Sequence, residues 1–373
     1  MTGVDRVEFA YLRALVADPV PLFALARTRI GYVLLDRPGA TAILGCAQRD
    51  DWGPLDALGR VMRRGSETHR RAEAALRRHA RARCLPQRLG AMLRQHLPEG
   101  TCYINTGHSN LTDRVIRGLG RVPGMRIAVL LHDTIPLDFP QYQRPETLGK
   151  FKHFLARVAR SADLVICNSK ATLADGQRHL EAFGRLPDGL VAPLGIETVA
   201  PGPCPDLPEA PYFVTLGTIE PRKNHALLLD AWDHFAAEGR NAPRLVICGA
   251  RGWKNETVLA RLDAGNPLVE ERPGLADAEI ATLLKHSQGL LFPSLAEGYG
   301  LPPVEAAALG VPVVVSDLGI YRETLGDIPI YLPPSDVYSW RKKIEQLTEQ
   351  KPAPIEFVPP DWDNHFNIVL SRV

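Results

Sequence analysis

Two adjacent cations, Arg222 and Lys223, sit in the segment Gly217-Thr218-Ile219-Glu220-Pro221-Arg222-Lys223-Asn224, between an apolar β-like run and an amphipathic helical one. Glycine lets a ligand approach the backbone, a helix start favours an anion, and two basic side chains add charge. That combination suits the grip of a diphosphate, although adjacent basic residues are also at home on a solvated surface. Further on, Ala296-Glu297-Gly298-Tyr299-Gly300-Leu301-Pro302-Pro303-Val304-Glu305 carries two carboxylates with a glycine–proline loop between them. The glycines imply a tight loop with accessible amides, and Pro302 and Pro303 suit the first turn of a helix bearing Glu305. Each acid also has a plain reading, Glu305 as a partner of the helix dipole and Glu297 as loop solvation. His132 closes another β-like run, where it either faces a ligand or caps the loop; Asp133 beside it reads as a turn former.

Such residues act together only if a frame gathers the ends of strands. Val7, Ala10, Tyr11 and Leu15 fall at helical spacing after a Thr2-Gly3 loop, and Tyr32–Leu35 and Thr41–Leu44 read as short strands. The stretch Arg60–Arg94 is arginine-dense and helical in character. Cys102–Asn105, Ile127–Leu131 and Leu164–Cys167 then read as buried strands with helices between them, including Thr147–Arg160. Glu197–Pro211 is proline-rich and reads as a linker. Beyond it Tyr212–Leu216, Arg244–Cys248, Leu268–Glu271, Leu290–Pro293, Val311–Ser316 and Ile330–Leu332 alternate with helices, one of them capped by Asp277. The rhythm predicts an α/β protein of two doubly wound halves, with ligands outside the carboxyl ends of the strands. The expected divisions are 1–198, 199–350 and a tail, 351–373.

The 373 residues suit two domains, and a net charge of +2 gives no general reason for nucleic acid as a partner. Six scattered cysteines form neither a zinc pattern nor a disulfide framework, which suits a reducing cytoplasm. The absence of a long apolar run or a signal-peptide pattern supports the same location. Asp361-Trp362-Asp363 superficially looks like a metal-binding acidic pair, but it lies far from any phosphate loop.

The pattern of Arg222-Lys223 followed by Glu297 and Glu305 resembles the family-four retaining glycosyltransferases. The likeness extends through Thr2–Glu8, His132–Leu137, Leu164–Thr172, Pro193–Ile196, Gly217–Asn224 and Val311–Gly319. It implies the GT-B fold, two Rossmann-like doubly wound domains facing each other across a cleft, with the acceptor on the first and a nucleotide sugar on the second. It implies that Arg222 and Lys223 hold the diphosphate and stabilise the leaving nucleotide. Glu305 would then take the ribose hydroxyls, while Glu297 faces the donor sugar with the amides of Gly298, Tyr299 and Gly300. Leu301 and Gly217 belong to the same donor loops. His132 would stand near the sugar and Gly3 near the reacting centre, Asn168 and Ser169 would act only indirectly, and the tail would return to the first domain through Trp362 and Phe366. The family opens with a strand before the glycine loop, whereas this sequence starts at the loop, so the expected first domain lacks that strand and has an exposed sheet edge.

The activity implied is metal-independent transfer of a hexose, with retention, to a glycan or lipid-linked acceptor in polysaccharide synthesis. No cofactor is expected beyond the nucleotide sugar; GDP-mannose is favoured, with UDP-sugars and dTDP-rhamnose open. Arg60–Arg94 either attracts an anionic membrane at the inner face or is a solvated helix. The rivals are a nucleotide-sugar epimerase and a degenerate nucleotide-sugar-binding scaffold. A phosphorylase lacks support because no pyridoxal-binding lysine environment is evident, and a nicotinamide dehydrogenase because no GxGxxG follows a strand.

Overall fold

The structure, a computed structural model, describes residues 3–61, 65–204, 206–208, 211–239, 242–350 and 354–373. Thr2, Arg63 and Arg64 therefore lie outside the described residues. Three sheets carry the fold. The first is antiparallel: β1 (Phe23–Arg27) pairs β2 (Tyr32–Asp36), which pairs β3 (Ala82–Cys84). The second is parallel, with β4 (Cys102–Asn105), β5 (Arg126–Leu131), β6 (Leu164–Cys167) and β7 (Asp188–Val191) side by side in chain order.

The third is a six-stranded parallel sheet of β8 (Tyr212–Leu216), β9 (Arg244–Cys248), β10 (Val269–Glu271), β11 (Gly289–Phe292), β12 (Val313–Ser316) and β13 (Ile330–Leu332). Its spatial order is β10-β9-β8-β11-β12-β13. The chain builds outward from β8, returns to β11 and builds outward the other way. The reversal leaves a crevice between the ends of β8 and β11, which is where such sheets bind ligands.

The strands alternate between two cores, as period-two geometry demands of a sheet covered on both faces. In β5 and β6, Ile127, Val129, Leu131, Val165 and Cys167 face one cluster with Leu155 and Val158. Ala128, Leu130, Leu164 and Ile166 face the other, against Val7 and Tyr11 of the N-terminal helix Gly3–Ala17 and Phe366 and Val369 of the final helix Trp362–Leu370. His365 is fully buried there, 2.9 Å from the Tyr11 hydroxyl.

Several local expectations change. Gly3 begins a helix rather than sitting in a loop. Thr41–Leu44 is helical, inside Arg37–Arg49, because Asp36 accepts the Gly39 amide and Pro38 stands in the first turn, both helix-start signals that outweigh β-branching. The arginine-dense stretch is helical over Glu67–Arg78 and Leu89–His96 but is interrupted by β3. Asp277 is not a cap: the helix Asp277–His286 is preceded by Ala276, whose amide is taken by Glu279 at 2.7 Å. The antiparallel sheet and β7 were not expected.

Phe366 is 8% exposed, so Phe366→Ala should cost about 3 kcal/mol of unfolding free energy in urea titration. A change within experimental error would mean that the final helix contributes nothing to the first parallel sheet's stability.

Candidate active site

The loop after β8 opens at Gly217, whose φ of +123° lies in a region favourable only to glycine. It continues through a 3-10 turn, Pro221–Lys223, to Asn224. The Asn224 side-chain Nδ2 donates to the carbonyls of Pro293 (3.1 Å) and Pro334 (2.9 Å), tying this loop to the segments after β11 and β13. Arg222 donates to the Ala296 carbonyl at 2.7 Å from the same side.

Those ties bring Glu297 between the two cations, 2.6 Å from Lys223 Nζ and 2.8 Å from Arg222. Glu220 takes the other side of Arg222 at 2.8 Å. Burial alone would raise the Glu297 pKa, but Lys223 and Arg222 overcome it and hold the group at about 2. The expectation had placed the cations on phosphate and Glu297 on sugar; the geometry makes them one cluster. Two positive and two negative side chains offset each other, so each cation of the pair already meets a carboxylate.

Gly298 lies against the first parallel sheet. A Cβ there would come within 2.8 Å of Asp133 Cβ and 2.9 Å of the His132 carbonyl oxygen, so only glycine permits the approach without displacement. Thr172 donates to the Gly298 carbonyl at 3.3 Å and the Tyr299 hydroxyl to that of Leu194 at 3.0 Å. His132 is 8% exposed, with Nε2 2.8 Å from the Thr106 carbonyl oxygen. Burial depresses its pKa despite that contact and Asp133, which favours a neutral ring with Nε2–H as donor. Asn168 donates to the His132 carbonyl at 2.9 Å and itself lines the cavity, while Ser169 caps the helix Lys170–Glu181.

All these elements surround one cavity of about 510 Å³. Arg222, Lys223, Glu297, Glu305, His132, Gly3, Gly217, Gly298, Tyr299, Gly300 and Leu301 all line it. Gly3 brings the first turn of the N-terminal helix, with the positive end of its dipole, to the cavity's edge. Leu216, Cys248, Ile280 and Leu284 make one end apolar. Asp133, Arg6 and Asp277 also line the cavity and were not expected to. Asp133 accepts the Ile135 amide at 3.1 Å, as a turn former does, while presenting its carboxyl to the cleft. Arg6 could have been suspected from its place just after the glycine of the Thr2–Glu8 motif, whereas nothing in the sequence announced its partners.

The profile of the family described as Glycosyl transferases group 1 matches residues 206–358, the segment containing the phosphate-type loop and both glutamates. Over that segment the chain is similar to the group 1 glycosyl transferases. The chain is 28% identical over 281 residues to the Serotype-specific mannosyltransferase WbdA of Escherichia coli, covering 68% of this chain and 34% of that protein. It is 40% identical over 170 residues to the O-antigen chain mannosyltransferase RfbU of Salmonella typhimurium, covering 43% and 42%. The chain thus spans about a third of the first relative's length. Among solved structures it resembles Anabaena HepE in complex with UDP-glucose, at a TM-score of 0.55, 18% identity and 77% of each chain. It also resembles TarM, at a TM-score of 0.55 and 15% identity over 74% of this chain and 54% of that one. These likenesses give the fold, GT-B.

Asp361 caps the final helix by accepting the Asn364 amide at 2.6 Å. Among the described residues no group of three or more His, Cys, Asp and Glu side chains is placed to hold a metal ion.

Glu297 ionises below its ordinary value of 4.5. Its ion pairing is therefore complete above about pH 4.5 and is lost as the pH falls through about 2. Glu297→Gln should cost about 3 kcal/mol at neutral pH. The gap to the wild type should close on acidification, and a gap independent of pH in urea unfolding would contradict the pairing.

Proposed function

We propose that this chain transfers a hexose from a nucleoside diphosphate sugar to a glycan or lipid-linked acceptor in polysaccharide assembly, with retention of configuration. The observation that carries the reading is the convergence of Arg222, Lys223, Glu297, Glu305 and His132, from two sheets, on one cavity at the β8–β11 switch point. The diphosphate would lie at the Arg222-Lys223 loop, and negative charge developing on the departing phosphate would draw those cations away from Glu297 and Glu220. Ribose hydroxyls would donate to Glu305, and the apolar end at Ile280 and Leu284 would take the base. The donor sugar would then lie beside Glu297, the Gly298–Gly300 amides and His132. In this reading Arg222 and Lys223 supply the charge stabilisation, so no metal is assigned to the transfer. Mannosyltransferases among the relatives favour GDP-mannose as donor.

Thermal melts with GDP-mannose, UDP-glucose and dTDP-rhamnose should show stabilisation by the cognate donor. With that donor, Lys223→Ala and Glu305→Ala should each lower transfer, Lys223→Ala by about 100-fold or more. Near-normal transfer by both variants would defeat the assignment. An altered sugar formed without acceptor would favour an epimerase.

An inner-face membrane location rests on fewer arginines than the sequence suggested. Arg70, Arg71, Arg77, Arg78 and Arg94 bind carbonyls or carboxylates of the fold. Arg60, Arg81, Arg83 and Arg88 are exposed, each able to contribute up to about 1 kcal/mol at an anionic surface. No helix among the described residues is long and apolar enough to cross a membrane. Anionic vesicles should sediment the protein at low salt and release it at raised salt; no sedimentation at either removes the membrane from this reading.

A further inference from the structure

The cleft holds a third cation, and it comes from the opposite half of the molecule. Arg6 lies on the N-terminal helix, next to Val7, which anchors that helix on the first parallel sheet. Its guanidinium forks across the cavity, donating to Glu305 Oε1 at 2.6 Å and to Asp277 Oδ1 at 2.7 Å. These two acids stand on separate helices, Asp277 opening Asp277–His286 and Glu305 midway along Leu301–Ala308. Burial and then the Asp277 charge work against ionisation of Glu305, and Arg6 opposes both. A planar fork can satisfy the two acids at once, which a single ammonium cannot do in the same geometry. Glu305 Oε2 accepts no hydrogen bond from the described residues. A carboxylate has about four acceptor sites, so Arg6 and a ribose hydroxyl can share this one.

We propose that Arg6 is a positioning residue for the nucleoside half of the donor site: by bridging Glu305 to Asp277 it aims the Glu305 carboxylate at the ribose. The site on the six-stranded sheet is then complete only when the N-terminal helix stands across it. This deepens the nucleotide-sugar reading and rests on it.

The test uses the full chain and calorimetric titration of GDP, UDP and inorganic pyrophosphate. Arg6→Met keeps the apolar stem and removes the fork. It should weaken the better-bound nucleoside diphosphate about three- to tenfold while leaving pyrophosphate unchanged, because pyrophosphate has no ribose. Arg6→Lys should recover part of the loss. Unchanged or tighter nucleotide binding in Arg6→Met would overturn the proposal. So would an equal loss for pyrophosphate, which would make Arg6 a phosphate cation. Arg6→Gln serves if Arg6→Met melts early. If the wild type binds neither GDP nor UDP, the donor reading itself falls; if it binds and only the variant pattern fails, the donor reading stands.

Discussion

Taking Lys223, Arg222 and Glu297 out of water is costly, and the arrangement holds only because each charge meets its opposite at hydrogen-bond distance. That cluster also joins the loop after β8 to the loop after β11, the two strand ends between which the sheet reverses direction. The width of the crevice is thus set by an electrostatic clamp rather than by apolar packing alone. Lys223 additionally lies over the Phe292 ring, 4.4 Å from its centroid, which fixes the ammonium against the strand it serves. In the proposed reading a diphosphate would exchange one set of anionic partners for another, and the cations would not need to be desolvated afresh. This makes preorganisation and stability properties of the same few side chains.

The second requirement is closeness between halves. Gly298 touches the His132–Asp133 backbone, Tyr299 reaches the Leu194 carbonyl, and Glu323 accepts the amides of Lys170 and Ala171 at 2.6 and 3.1 Å, covering a helix start in the other half. Trp253 adds a contact to the Tyr142 carbonyl at 3.2 Å. His132 and Glu297 therefore form adjoining walls of one cavity although they belong to different sheets. A side chain at position 298 would push the halves apart at the point where a donor sugar would have to be enclosed.

Much of this was legible beforehand because the informative residues follow buried strands of strong β-propensity. Runs such as Val311–Ser316, a strand over Val313–Ser316, and Leu164–Cys167 marked where loops begin, and the glycines and prolines around Glu297 and Glu305 marked the loop itself. The first hundred residues were harder to read. Phe23–Arg27 is a short, partly buried edge strand without polar–apolar alternation, and Thr41–Leu44 carries β-type residues inside a helix fixed by Asp36 and Pro38. Periodicity over four residues cannot separate those cases. The arginine count was equally ambiguous, since Arg77 meets Asp56 and Glu73 while Arg78 staples the carbonyls of Trp52 and Pro54. Partners distant in sequence decided their meaning, as they did for Arg6 and Asp277.

The final helix, Trp362–Leu370, lies on the first parallel sheet although the segment before it, from β8 to Glu349, builds the other half. The polypeptide therefore passes between the halves twice, once after β7 and once before Trp362. Two covalent crossings instead of one limit how far one half can twist against the other, so the tail restrains the cleft from outside while packing on the first parallel sheet.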